Sequence, residues 1–115
     1  MTIVLLSSDL MVVSRVAGAV AQQGSELRTF ADSQQAAKSC RNLGARMLIV
    51  DLATPALDIA NLVSTVKDGS DTAPTIVAFG PHVHEERLAA ACEAGCDRVV
   101  SRGQFMGQLD TLLQL

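Results

Sequence analysis

Tryptophan and tyrosine are absent from this sequence, and phenylalanine occurs only three times in 115 residues. With so few rings, bases have no platform to stack on, which argues against single-stranded nucleic-acid binding. The core has to be aliphatic, built from Val, Leu, Ile and Ala. No basic run occurs, and 9 Lys and Arg against 12 Asp and Glu leave a formal net charge of -3. Phosphate backbones need clustered positive charge, so a nucleic-acid partner is not expected. No apolar stretch approaches the roughly 20 residues of a membrane helix, so no membrane partner is expected either. Thr2-Ile3-Val4-Leu5-Leu6 follows Met1 with no basic lead or small-residue cleavage site, so no signal peptide is read. The three cysteines are an odd number and suit reduced thiols, which points to a cytoplasmic protein.

Hydrophobic residues make up 49% and charged residues 18%, a balance that favours folding over disorder. Short β-rich runs at Thr2–Leu6, Glu26–Phe30, Arg46–Leu52, Thr75–Phe79 and Arg98–Ser101 alternate with segments of helical period. The first such segment carries Val13, Val16, Ala17 and Val20 on one face. In the second, Asp32 and Gln35 have capping-box spacing, and Gly44 ends the helix. Thr54-Pro55 offers an N-cap and first-turn proline to a third helix, whose stripe is Ile59, Leu62, Val63 and Val66. His84–Ala94 reads as a fourth, and Phe105, Leu109, Leu112 and Leu113 give a fifth its apolar face.

Five strands alternating with five helices imply a parallel sheet with right-handed crossovers. The runs of strands one, three and four are nearly continuous, as strands covered on both faces require, while strands two and five are more polar. The expectation is one α/β unit over residues 1–115, three-layer α/β/α and flavodoxin-like, with order 2-1-3-4-5. No linker, repeat, low-complexity segment or following output domain is read.

In such sheets function collects at the carboxyl ends of the strands. Those loops hold Ser7-Ser8-Asp9, Asp51-Leu52-Ala53-Thr54-Pro55, Gly80-Pro81-His82 and Ser101-Arg102-Gly103. Asp51 ends the apolar run Met47-Leu48-Ile49-Val50, which places a carboxylate on a rigid strand end facing the crevice. A loop Asp that merely satisfies backbone donors suits the same place, and residue type alone leaves both open.

The segment from Leu48 to Asp58, with Pro four and Asp seven residues after Asp51, resembles the phosphoacceptor stretch of response-regulator receiver (CheY-like) domains. Ile59 stands where that family usually has Gly. Leu88–Asp97 is similar to the receiver's fourth helix and its turn into the fifth strand, and the likeness runs ungapped from Gly80 to Arg102. It extends over the whole chain. By this resemblance Asp51 is the phosphoacceptor candidate.

The departures cluster at the same place. Two acidic residues that would help hold Mg²⁺ are replaced by Ser7 and Ser8, and neutral hydroxyls are weak Mg²⁺ ligands. If Mg²⁺ binds at all, Asp9, Asp51 and Ala53 would hold it weakly. Asp9 opens a helix, where capping is its expected role. The switch Thr or Ser becomes Gly80, and the reporter aromatic becomes Val99. The Lys that pairs with the phosphate in that family becomes Arg102, the expected charge partner of Asp51, although its planar fork is not equivalent to an ammonium. Phosphoryl transfer rests on positioning and charge neutralisation, so Mg²⁺-dependent phosphorylation is expected to be impaired.

The resulting expectation is an atypical receiver (a pseudo-receiver), not an enzyme, acting in two-component-type signalling mainly as a protein-interaction module. Two alternatives stand beside it: a working phosphorelay receiver, with Asp9 supplying the missing acid, and a flavodoxin-like ligand-binding domain or small enzyme. Against the last, no hydroxyl-rich phosphate loop follows the first strand, and no nucleophile–base pair is evident. By the resemblance, the partner, a signalling protein or output domain, would use the face of helix four, strand five and helix five. There Met106, Leu109, Leu112, Leu113 and Leu115 exceed what one buried stripe needs, which also admits a homodimer.

Three further patterns take plainer readings. His82, His84, Cys92 and Cys96 are zinc-ligand types, but their spacing lacks the dense CxxC pattern, so Cys92, Cys96 and Cys40 read as small core residues. Gly80-Pro81 reads as a turn. Arg98 or Arg102 with Asp110 is a possible ion pair.

Overall fold

The computed structural model describes residues 1–68 and 72–115. Strands β1 (Thr2–Leu6), β2 (Glu26–Phe30), β3 (Met47–Asp51), β4 (Thr75–Gly80) and β5 (Arg98–Ser101) form one parallel sheet of order 2-1-3-4-5. Helices α1 (Leu10–Gln22), α2 (Ser33–Leu43), α3 (Ile59–Lys67), α4 (Glu85–Ala94), α5 (Arg102–Gly107) and α6 (Leu109–Leu112) cover it. The expected flavodoxin-like fold is therefore the observed one.

Alternation within the apolar strands sorts their residues between two cores. Ile3, Leu5, Met47, Ile49, Val77 and Phe79 pack with α1, α5 and α6, whereas Val4, Leu6, Leu48, Val50, Ile76 and Ala78 pack with α2, α3 and α4. β1, β3 and β4 are almost wholly buried, while β2 and β5 are partly exposed edges. The scarce rings are concentrated: Phe79 and Phe105 stack with centroids 4.0 Å apart and bind α5 to the sheet.

Several local expectations are corrected. The buried stripe of α1 is Val12, Val16, Ala19 and Val20, with Val13 only half-buried and Ala17 exposed. Periodicity alone left this one-position rotation open, because Val12 and Val13 are chemically alike. Thr54 and Pro55 do not start α3. The cap is Asp58, whose Oδ1 accepts from the Asn61 amide at 3.1 Å, and Thr54 is used by the preceding loop. Asp32 caps α2 through the Gln34 amide, while the reciprocal capping box lies at Ser101 and Gln104. The expected fifth helix is broken at Gln108 into α5 and α6.

Cys92 is exposed, not on the buried stripe of α4, which turns Ala91 inward instead. α4 then stops at Gly95, whose amide reaches the Cys92 carbonyl and whose φ of 98° turns the chain so that the Cys96 amide reaches that of Ala91. The leucine tail also differs from expectation: Leu109, Leu112 and Leu113 are buried against α1, Met106 is half-buried, and only Leu115 is exposed. The apolar surplus expected on the α4, β5 and α5 face is thus core. The Arg98 or Arg102 pair with Asp110 is not found among the described residues.

Candidate functional site

Parallel register brings the site together. Leu6 pairs with Val50 and Asp51 with Phe79, so Ser7, Asp51 and Gly80 leave the sheet side by side at its carboxyl edge. Ser7 and Asp51 are 2% and 4% exposed, in a fold whose other buried polar residue is Thr54 among those described. The Ser7 hydroxyl donates to Asp51 Oδ2 at 2.8 Å, and the Ala53 amide donates to Oδ1 at 3.0 Å. Both carboxylate oxygens are therefore occupied by donors of the chain itself. Thr54 completes the loop by donating its hydroxyl to the Asp51 carbonyl at 2.7 Å.

Arg102 does not reach Asp51. Its Nη2 lies 2.8 Å from Asp9 Oδ2, tying the start of α5 to the start of α1. The other oxygen of Asp9 caps α1, accepting from the Met11 and Val12 amides, as its place at the helix start suggested. The Arg102 hydrogen bond, with help from those amides, holds the Asp9 carboxyl below its ordinary pKa of 3.8. The Asp9 amide in turn donates to the Ser7 hydroxyl oxygen at 3.1 Å. The resulting chain runs from Arg102 through Asp9 and Ser7 to Asp51.

All four residues are among those expected at the site, but Arg102 pairs with Asp9 and Ser7 with Asp51, because a serine donates where a carboxylate only accepts. The capping role of Asp9 was legible, whereas its second oxygen facing α5 was set by the packing of α1 beside α5.

The remaining departures also have places. Ser8 is exposed, and Val99 packs half-buried on the α2–α4 side. A Cβ on Gly80 would meet Leu52 Cβ at 3.3 Å and Leu88 Cδ2 at 3.8 Å, so apolar side chains close the space around it.

These donors do not fit Mg²⁺. The ion takes near-octahedral oxygen ligands and favours anionic ones. Here Asp51 is the one buried carboxylate among the described residues, each of its oxygens accepting one hydrogen bond, and Asp9 is engaged by a guanidinium. The zinc-type residues are separated: His82 and His84 precede α4, while Cys92 lies about 12 Å further along it and Cys96 follows its end.

No family model matches the chain, and no curated protein does. Solved structures do. The chemotaxis response regulator CheY4 of Vibrio cholerae superposes with a TM-score of 0.81 at 17% identity, over 98% of this chain and 95% of that one. A response regulator from Hahella chejuensis gives 0.84 at 14%, over 98% and 92%. The receiver domain of a sensor histidine kinase from Pseudomonas aeruginosa PAO1, solved with magnesium in its active-site cleft, gives 0.81 at 17%, over 98% and 93%. At these identities the likeness establishes the fold, which is that of response-regulator receivers.

Proposed function

We propose that the chain is a receiver-type signalling module whose acidic site is held in one state by its own side chains. In this reading it does not take a phosphoryl group at Asp51 by the Mg²⁺-dependent route, and it acts through protein contacts. The observation that carries the proposal is the buried Ser7–Asp51 hydrogen bond, in which a neutral hydroxyl, and no second buried acid among the described residues, stands beside the carboxylate. The Arg102–Asp9 pair supports it, because the one neighbouring acid able to replace the missing ligands is already neutralised. Phosphoryl transfer without a metal beside the acceptor lacks much of the charge stabilisation on which it depends.

Incubation with Mg²⁺ and beryllofluoride or acetyl phosphate, followed by amide NMR and intact mass, tests this reading. The expected result is no stable adduct and no shift of the Ser7, Asp51 or Ala53 amides at ordinary metal concentration. A stoichiometric adduct at Asp51 would instead establish the working-phosphoacceptor alternative. In that event, unchanged modification of Asp9→Asn would exclude Asp9 as the substitute acid.

Partner docking on the α4, β5 and α5 face belongs to the same proposal. Its apolar support is now smaller, since the leucines expected there are buried. No described helix is long and apolar enough to cross a membrane.

A further inference from the structure

Beside the loop that follows Asp51 lies a recess of about 290 Å³ between the β3–α3 segment and α4. Leu52, Pro55, Leu57 and Ile59 form one side, and Ala90 and Arg87 of α4 form the other. Its size is at the lower end of small-molecule sites, too small for a folded segment and right for a compact ligand. Among its lining side chains only Thr54 and Arg87 are polar, with loop backbone groups adding further polar surface, and Arg87 is the one charged residue. Thr54 spends its hydroxyl on the Asp51 carbonyl. Arg87, by contrast, makes one long contact of 3.4 Å among the described residues, to the Leu52 carbonyl, which leaves most of its five N–H donors to solvent.

The backbone of this loop is itself unusual. Ala56 takes a left-handed φ of 59°, a conformation an alanine avoids unless its surroundings impose it. Strained turns of this kind concentrate at ligand clamps, and this one forms part of the recess wall. The larger groove between α2 and α3 lacks these features: its lining side chains are mostly polar, and its Arg41 is already bonded to the Thr65 carbonyl at 2.8 Å.

We infer that the recess binds a small monocarboxylate with an apolar body. The carboxylate would take the guanidinium fork of Arg87, and the hydrocarbon or ring would displace water from Leu52, Pro55, Leu57 and Ile59. Bidentate pairing with an arginine explains a preference for carboxylate over a neutral polar group. Leu52 lies between this recess and Gly80, so an occupant presses on the residue that packs over the Gly80 backbone. The inference does not depend on whether Asp51 accepts a phosphoryl group.

Benzoate and its neutral near-isostere benzyl alcohol are suitable probes, titrated at millimolar concentration and followed by ¹H–¹⁵N NMR. Benzoate is expected to shift the amides of Ala53, Ala56, Leu57, Ile59 and Ala90, with benzyl alcohol at least about tenfold weaker. Arg87→Gln should abolish that discrimination while Arg87→Lys retains part of it. Ala90→Leu, on an exposed face of α4, should block both probes and leave the circular dichroism unchanged. Absence of shifts in these residues, shifts centred elsewhere, or discrimination that survives in Arg87→Gln would each overturn the inference.

Discussion

Replacing Ser7 by Ala is the most direct test of the site, because it removes one oxygen and leaves the fold around it alone. That oxygen donates to Asp51 Oδ2 at 2.8 Å and accepts from the Asp9 amide at 3.1 Å. Hydrogen bonds to a charged group contribute about 1.5–3 kcal/mol, and neutral ones about 0.5–1.5 kcal/mol. The first bond is buried, with its partners 2% and 4% exposed, so water replaces it poorly. The second is nearer solvent and is discounted. Ser7→Ala is therefore expected to cost about 2–3 kcal/mol. At an unfolding entropy of about 2.1 cal/mol/K per residue, a chain of this size loses roughly 4 °C per kcal/mol, so Tm should fall by about 10 °C. With no Trp or Tyr to report on unfolding, far-UV circular dichroism in urea and on heating is the assay. A cycle of Ser7→Ala, Asp51→Asn and the double variant isolates the pair, and a coupling of at least about 1 kcal/mol is expected. Single-variant costs that add within about 0.5 kcal/mol would show that the two side chains do not depend on each other, and the reasoning would fail.

Four further expectations follow from the same geometry. Ser7→Asp would set a second carboxylate against Asp51, so this variant should melt below the parent in EDTA. Added Mg²⁺ should recover it by mass action while leaving the parent Tm unchanged, and a parent that gains as much would refute the account. Asp9 is depressed below its usual 3.8 by Arg102, so the stability it contributes is present above that pH and is lost as pH falls through the lower folded value. In Arg102→Gln, a carboxyl-detected titration should find the Asp9 midpoint raised and the acid limb correspondingly altered. Gly80→Thr introduces a branched side chain where Leu52 Cβ stands 3.3 Å from the first added atom, and should cost about 1–3 kcal/mol by overpacking. In a Leu52→Ala background, which removes the Leu52 Cδ1 lying 3.6 Å from the added atom, Gly80→Thr should cost less than in the parent, as a double-mutant cycle in urea would show. Burial raises the Cys40 and Cys96 thiols to about 11, so iodoacetamide at pH 8 should modify the exposed Cys92 first, as peptide mass mapping would show.

How the site was and was not legible follows from what each feature depends on. Asp51 was identifiable because a carboxylate ending a buried apolar run has few places to go, and the spacing to Pro55 and Asp58 repeats a known pattern. The helix-capping role of Asp9 was likewise local, needing only the two amides that follow it. Arg102 was assigned to the wrong carboxylate. Asp9 and Asp51 both stand at the carboxyl edge of the sheet, and only the relative placement of α1 and α5 decides which one the guanidinium meets. The leucine tail was misjudged for a related reason. Counting apolar residues gives their number, but how α6 folds back toward α1 decides how many stay outside.

By itself the sequence determined the strand runs, the polar edges β2 and β5, the parallel α/β order, and the cluster of loops where chemistry would sit. These depend on hydrophobic period and on chain direction, which are properties of neighbouring residues. Tertiary structure decided the phase of α1, the break between α5 and α6, and the two pairings at the site. It took one register step to set Ser7 beside Asp51, and one helix contact to turn Arg102 toward Asp9. Hydrogen bonds across 44 and 93 positions of chain leave no periodic trace in it, because their partners are neighbours only after the sheet has formed.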